Sequence, residues 1–372
     1  MRHLRNLKNV VKLMLFYAVT AMALAACGNS GGNGGTAPSA GSFSQDDLTG
    51  NWYFMQFFSG PDVTAGTHRA WMRGTVTIDA KGKVTTNTIQ DSTGTATVLP
   101  AGTITQTIDA NGVVTEGGSN GAGTGNHAFM TANKQIVVGT RSSGNGKNQG
   151  LCIFVRQGVV SFSPPDISSG TFAYNQLKTG GNNGWQFGTG TINASQQVTL
   201  NTLLDNNGNT TPPPANFLTL AITTAGIVTN TGAGAESTFQ GVMTPDKKLI
   251  IGTETSSGGN SYNLRIITIG GQTFTTADMA GIWKFSQLET SPLWEYGTSS
   301  FSSAGVGTQL SFLDSTGSTT SGGAPTFSVG STGLVTMAGV PSFHGVMAFN
   351  KNILVGTVTT TPGVFSMNIA VK

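Results

Sequence analysis

Trp71-Met72-Arg73-Gly74-Thr75-Val76-Thr77-Ile78-Asp79 returns as Trp185-Gln186-Phe187-Gly188-Thr189-Gly190-Thr191-Ile192-Asn193, and again as Trp294-Glu295-Tyr296-Gly297-Thr298-Ser299-Ser300-Phe301-Ser302. Recurrence at a near-constant spacing of roughly 110 residues marks a repeated structural unit. Three further blocks recur in the same order. The opening block is Asp47-Leu48-Thr49-Gly50-Asn51-Trp52, then Asp166-Ile167 leading to Gly170-Thr171-Phe172, then Asp278-Met279-Ala280-Gly281-Ile282-Trp283. A middle block reads Gly112-Val113-Val114-Thr115, Gly226-Ile227-Val228-Thr229 and Gly333-Leu334-Val335-Thr336. A late block runs from Met130 to Gly139-Thr140, Met243 to Gly252-Thr253 and Met347 to Gly356-Thr357, each copy with a lysine in its turn. Breaks at Pro164-Pro165 and near Gly270-Gly271 divide the body into repeats 46–163, 164–271 and 272–372.

Within the first repeat, strands are expected near 51–57, 74–79, 83–89, 103–108, 112–116, 127–132, 135–141 and 151–156. Val76/Ile78 and Ile104/Ile108 alternate with threonine, the period-2 pattern of a strand with one buried face. Ile136-Val137-Val138 is continuously apolar and suits a more buried strand. Asp79-Ala80-Lys81-Gly82, Asp109-Ala110-Asn111-Gly112 and Asp314-Ser315-Thr316-Gly317 share an Asp-x-x-Gly turn, in which Asp bonds its own backbone and Gly takes positive φ. No stretch of the body has helical periodicity. The expected class is all-β: three tandem up-and-down antiparallel meanders of about eight strands each, closing into barrel-like units that leave no edge exposed. The rival is a single six-bladed β-propeller with two blades per repeat. The blocks align over the full period and not over half of it, which favours barrels.

Gly50-Asn51-Trp52 and Gly281-Ile282-Trp283 resemble the opening of the calycins, the lipocalin and avidin-like barrels. In lipocalins that tryptophan packs against a basic residue of the last strand. The resemblance implies Arg156, Arg265 and Lys372 for that role, while the second repeat departs from the pattern with Phe172.

The N-terminus carries its own message. Arg2, Arg5, Lys8 and Lys12 precede an apolar segment, Leu13 to Ala26. That is shorter than the roughly 20 residues a membrane-spanning helix needs, so 1–26 reads as a signal peptide. Leu24-Ala25-Ala26-Cys27 resembles the lipobox of bacterial lipoproteins, which implies acylation of Cys27 and anchorage to membrane lipid. Two or more acyl chains hold a protein stably, at about 0.8 kcal/mol per buried methylene. Gly28-Asn29 resembles outer-membrane sorting, so the expected location is the bacterial cell envelope, outer membrane ahead of inner. Residues 27–45 form a Gly/Ser/Asn-rich linker too polar to bury a core.

The formal net charge is +3, and the leader alone supplies four positive charges, so the remainder is close to neutral. Without clustered Lys/Arg there is no electrostatic footprint for nucleic acid. Charged residues are 9% of the chain, against about 25% in ordinary soluble domains. Thr, Ser, Asn and 53 glycines supply the polarity, as in exported β proteins. Cys152 is the only cysteine besides Cys27; with Cys27 acylated no internal disulfide is available, and Cys152 sits in an apolar run as a core residue.

No catalytic constellation emerges, no cofactor is implied, and the chain is expected not to be an enzyme. His127 and His344 hold equivalent places where the second repeat has Gln240, which marks a polar strand position and not a shared base; His68 stands alone. Gly28–Gly32 and Gly117–Gly121 satisfy G-x-S-x-G without the strand-to-helix turn that exposes such a serine. Asp205-Asn206-Asn207-Gly208 lacks the spacing of a calcium loop, and no spacing suggests zinc. Trp71, Trp185 and Trp294 are the candidate ligand contacts, with core packing or a barrel-end plug as the alternative. The expected function is a non-catalytic binding or adhesion module of the cell envelope whose partner is a glycan, a small apolar ligand or an envelope protein. The alternative is a structural spacer or accessory subunit of an outer-membrane assembly.

Overall fold

In the computed structural model the described residues are 42–98, 102–117, 126–158, 160–168, 170–232, 238–259, 261–319, 325–348 and 350–372. Strands dominate them. The first repeat holds β1 (Gly50–Ser59), β2 (Trp71–Ile78), β3 (Lys83–Asp91), β4 (Ala96–Thr97), β5 (Ile104–Ile108), β6 (Val113–Gly117), β7 (His127–Met130), β8 (Ile136–Ser142) and β9 (Gln149–Arg156). The second holds β10 (Gly170–Gly180), β11 (Gly184–Ile192), β12 (Gln197–Asp205), β13 (Leu218–Ile222), β14 (Ile227–Thr231), β15 (Gln240–Met243), β16 (Leu249–Thr255) and β17 (Ser261–Ile269). The third holds β18 (Gly281–Glu289), β19 (Trp294–Phe301), β20 (Gly307–Asp314), β21 (Phe327–Val329), β22 (Leu334–Met337), β23 (Val340–Met347), β24 (Ile353–Thr361) and β25 (Val364–Val371).

All pairing is antiparallel and follows chain order, with the last strand of each repeat returning to the first. The second repeat is a closed eight-stranded barrel. The first closes in the same way, with β4 as a short flap on β3. In the third, an eight-stranded sheet curls until its ends meet at the isolated bridge Val306–Thr326. These are barrels, not propeller blades.

The repeated tryptophan motif encodes the curvature. Each copy carries a register shift at the same offset: Thr75/Val76, Thr189/Gly190 and Thr298/Ser299. A bulge there bends the strand and raises its twist, as barrel closure requires. The Asp-x-x-Gly turns behave as their chemistry dictates. Asp79 Oδ1 accepts from the backbone N–H of Lys81 and Lys83 at 2.8 Å each, and Gly82 sits at φ +77°.

One end of each barrel is stoppered by the segment that precedes its first strand. Phe43, Phe162 and Phe274 cover the glycines that open the middle blocks, Gly112, Gly226 and Gly333. A single 3-10 turn then carries Asp47, Asp166 or Asp278, each capping its own turn by accepting from the backbone N–H of Ser44, Ser163 or Thr275 at 2.8 Å. The lysine of the late block reaches the same carboxylate: Lys134–Asp47 at 2.9 Å, Lys247–Asp166 at 2.8 Å and Lys351–Asp278 at 3.0 Å. Two of the repeated blocks are thus the two halves of one clamp.

Outside faces of the barrels pack on one another. Along β8 the side chains of Ile136 and Val138 leave the first barrel, while Val137 enters it. Leu249/Ile251 and Ile353/Val355 repeat the pattern in β16 and β24. With Ile153, Ile266 and Ile369 from the last strands, these nine side chains converge on one line, leaving about 10 Å³ of free space. Each fully buried residue of this kind contributes about 1.5–3 kcal/mol, against about 1 kcal/mol for a typical hydrogen bond. The apolar line therefore sets how strongly the barrels adhere, and the polar contacts set their register.

Candidate functional site

The three interiors differ, and the difference begins at one position. Trp52 and Trp283 stopper the first and third barrels, each donating its indole N–H at 2.7 Å to a carbonyl of the 3-10 segment, Leu48 and Met279. Arg156 lies 4.3 Å over Trp52 and Lys372 lies 5.7 Å from the Trp283 ring, as the calycin resemblance implies. In the second barrel the equivalent residue is Phe172, and its partner across the ladder is Ile269. Arg265 does not play the expected part. It lies inside the barrel, because its place on β17 alternates with the outward-facing Leu264 and Ile266.

A cavity of about 270 Å³ results, walled by Phe172, Tyr174, Phe217, Phe239 and aliphatic residues of β11 to β13 and β17, with Gln186, Asn230 and Arg265 as its polar side chains. Its polar groups are few. Arg265 donates from Nε and Nη2 to Gln176 Oε1 at 2.9 and 2.7 Å, and from Nη2 to Glu254 Oε1 at 2.7 Å. Asn263 Nδ2 donates to the same Glu254 oxygen at 2.8 Å. Burial pushes the Tyr174 phenol up to about 12, so it stays protonated. Asn230, 9% exposed, lines the cavity with neither amide atom hydrogen-bonded among the described residues.

The orphaned amide has a physical origin. In the first barrel the equivalent position is Glu116, paired with Arg141 at 3.8 Å. In the second, Glu254 takes the place of Arg141 and turns to Arg265 instead. Asn230 is left facing the cavity without a partner.

Trp71, Trp185 and Trp294 are in none of the interiors. They stand on outer faces, 2–4% exposed, in the junctions between barrels. Trp71 Nε1 donates to Thr255 Oγ1 at 3.0 Å, Trp185 Nε1 to Thr359 Oγ1 at 2.9 Å, and Trp294 Nε1 to Ser142 Oγ at 2.9 Å. The first barrel thus grips the second, the second the third, and the third the first. The residue two places on completes each grip. Tyr296 stacks on Phe129 at 4.4 Å, Phe187 on His344 at 5.4 Å, and Arg73 donates to the carbonyls of Thr238 and Thr253 at 2.9 Å each. Burial pulls the Arg73 guanidinium down to about 10, still charged at neutral pH.

His127 and His344 are junction residues beside Trp294 and Trp185, at 5.3 and 5.0 Å between rings, and burial lowers both pKa values. His68 packs edge-on against Phe58, and the carboxylate of nearby Asp62 accepts from Asn145 and Asn148. Cys152 is buried in the first barrel, its thiol pushed up to about 12. Asp205 Oδ1 accepts from the backbone N–H of Asn207 and Asn209, which makes its cluster a turn. Among the described residues no group of His, Cys, Asp and Glu is placed to hold a metal ion. Cys27, the first G-x-S-x-G run and most of the second lie outside the described residues.

Sequence reasoning missed Asn230 and the inward turn of Arg265. Phe172, in place of a repeated tryptophan, was the available signal that the second barrel is built differently.

No protein-family model and no curated protein matches the chain by sequence. Among solved structures, it is similar to isotype 1 transferrin binding protein B from serogroup B Neisseria meningitidis at 8% identity. That alignment covers 87% of this chain and 77% of the other, with a TM-score of 0.25. A mutant transferrin binding protein B from Haemophilus parasuis Hp5 gives 9% identity, 87% and 75% coverage and a TM-score of 0.24. Intact Ap-TbpB, with its N and C lobes, gives 10% identity, 87% and 76% coverage and a TM-score of 0.19. At this level of similarity the molecules do not superpose as wholes, and the site is defined by its own residues.

Proposed function

We propose that this chain is a lipid-anchored, non-catalytic binding protein of the bacterial cell envelope, held by acylated Cys27 and preferentially on the outer membrane. Its three interlocked barrels serve as a rigid scaffold, and the middle barrel receives the ligand. The observation that supports this most directly is the cavity of about 270 Å³ in the second barrel, with the unpartnered Asn230 amide on its wall. Buried polar groups are normally satisfied, and a hollow with a few convergent polar groups is the usual form of a small-molecule site. Trp71, Trp185 and Trp294 act in this reading as the locks between barrels; a ligand reaches them only if the barrels part.

Two measurements test it. Palmitate labelling of the wild type against Cys27→Ala is expected to show incorporation that the variant loses; equal labelling contradicts the anchor. Extraction of the full chain purified from its native membrane, followed by mass spectrometry, is expected to release a molecule that a Phe172→Trp variant does not retain. Equal recovery from both contradicts the lumen as the site.

The spacer reading has one observation in its favour, the cyclic set of junction bonds, which builds a stiff body whatever it carries. An empty lumen in the extraction experiment would favour it.

A further inference from the structure

Resting on the binding reading, we infer that the middle barrel takes a small, uncharged, largely apolar molecule bearing one hydrogen-bonding head group. The molecule enters through a side seam and seats its head on Asn230. Four observations carry this.

The first is size. The cavity, about 270 Å³, exceeds the roughly 150 Å³ that accommodates benzene and falls just short of the roughly 300 Å³ where drug-sized pockets begin. A ring or a short chain fits; a full acyl lipid or an oligosaccharide does not.

The second is charge. Arg265 is the charged residue on the wall, and Glu254, fully buried, neutralises it at 2.7 Å. An ionised ligand would bring an uncompensated charge among aromatic and aliphatic walls, which is costly.

The third is the head group. The Asn230 amide offers both N–H donors and a carbonyl acceptor, and neither has a partner among the described residues. A hydroxyl or a primary amide satisfies both at once; a pure hydrocarbon satisfies neither.

The fourth is access. The seam between β12 and β13 has two ladder pairs, Gln197–Thr219 and Val198–Leu218. On one side Leu220 N–H donates to the Gln196 carbonyl at 3.0 Å, and on the other Asn216 N–H donates to Thr199 Oγ1 at 3.1 Å. Beyond Thr199, β12 runs on beside the segment 206–215. In the first barrel the flap β4 covers the same side of β3, at Ile89–Thr97 and Gln90–Ala96. Here the segment carries Pro212-Pro213-Pro214, which has no N–H groups to pair with β12. Pro213 and Phe217 stand at the cavity wall.

The test uses the full chain in lipid nanodiscs at neutral pH, with empty nanodiscs as the control. 4-Methylphenol, toluene, benzoate and benzylammonium are titrated by calorimetry and ligand-observed NMR. 4-Methylphenol is expected to bind, toluene about two- to tenfold more weakly, and both ions more weakly still. Asn230→Leu is expected to erase the preference of 4-methylphenol over toluene while leaving toluene bound. Phe172→Trp and, independently, Leu200→Trp are expected to remove uptake of both while the circular dichroism spectrum stays that of the wild type. Benzoate or benzylammonium binding as tightly as 4-methylphenol, or a preference untouched by Asn230→Leu, overturns the ligand class but leaves the lumen as a site. Uptake that survives in both filled variants, or no uptake of any probe, overturns the lumen and with it the binding reading.

Discussion

Trp185 shows how one residue type serves three roles that sequence cannot separate. It recurs, it is aromatic, and it begins a strand, and those facts are equally true of a plug, a ligand platform and a lock. Only the identity of the group across from its indole N–H, Thr359 of the next barrel, decides. Trp185→Phe should cost about 0.5–1.5 kcal/mol, the lost hydrogen bond. Trp185→Ala should cost about 3–5 kcal/mol, since it also empties the junction. Urea denaturation followed by circular dichroism measures both. A Trp185→Phe variant as stable as the wild type would mean the hydrogen bond is irrelevant, and equal costs would mean that packing adds nothing to it. Gly226 was legible as a repeated glycine, and its reason is now plain: φ is +86°, and a Cβ would meet the Phe162 ring at 2.7 Å. Gly226→Ala should destabilise by more than about 1 kcal/mol, and a neutral result in the same assay would contradict the stopper. Asn230 was not legible, because its meaning depends on Glu254 having turned towards Arg265, a choice made across the barrel.

Strands were far easier to read than sites. Alternation along Val76/Ile78 and the turn chemistry at Asp79 and Asp109 are local, so the ladder of the first repeat emerged almost strand for strand. The two-residue β4 escaped, since nothing that short has a period. The repeated Asp and the repeated Lys were each visible, but their meeting was not, because they lie in blocks far apart in the chain. That meeting has a pH signature. Burial opposes ionisation of Asp47, Asp166 and Asp278, yet the lysine and the capping N–H outweigh it, and all three pKa values fall below the ordinary carboxylate value. A lowered pKa means stability that is complete above the unfolded value of about 3.9 and lost as pH falls through the folded one. Replacing all three Asp by Asn should therefore lower the melting temperature at pH 6 and flatten its decline below pH 4. An unchanged acid limb would show that the clamps are too exposed to matter.

Across the whole molecule, the cyclic contacts make a further acid response visible. His127 and His344 are held neutral by burial in two junctions, whereas Gln240 occupies the matching place in the third. Unfolding exposes them to protonation, so stability should fall as pH drops below about 6.5 and level off once the folded values are passed. His127→Gln with His344→Gln should remove that step from the pH dependence of the melting temperature; its persistence would place the titrating group elsewhere. The central claim is that three copies of one barrel are fused along the apolar line formed by β8, β16 and β24. Hydrogen exchange of the full chain, read by mass spectrometry over increasing denaturant, tests it most directly. Peptides spanning Ile136–Ser142, Leu249–Thr255 and Ile353–Thr361 should be the slowest in their barrels and should open together at one denaturant concentration. Three separate opening points, one per barrel, would contradict it.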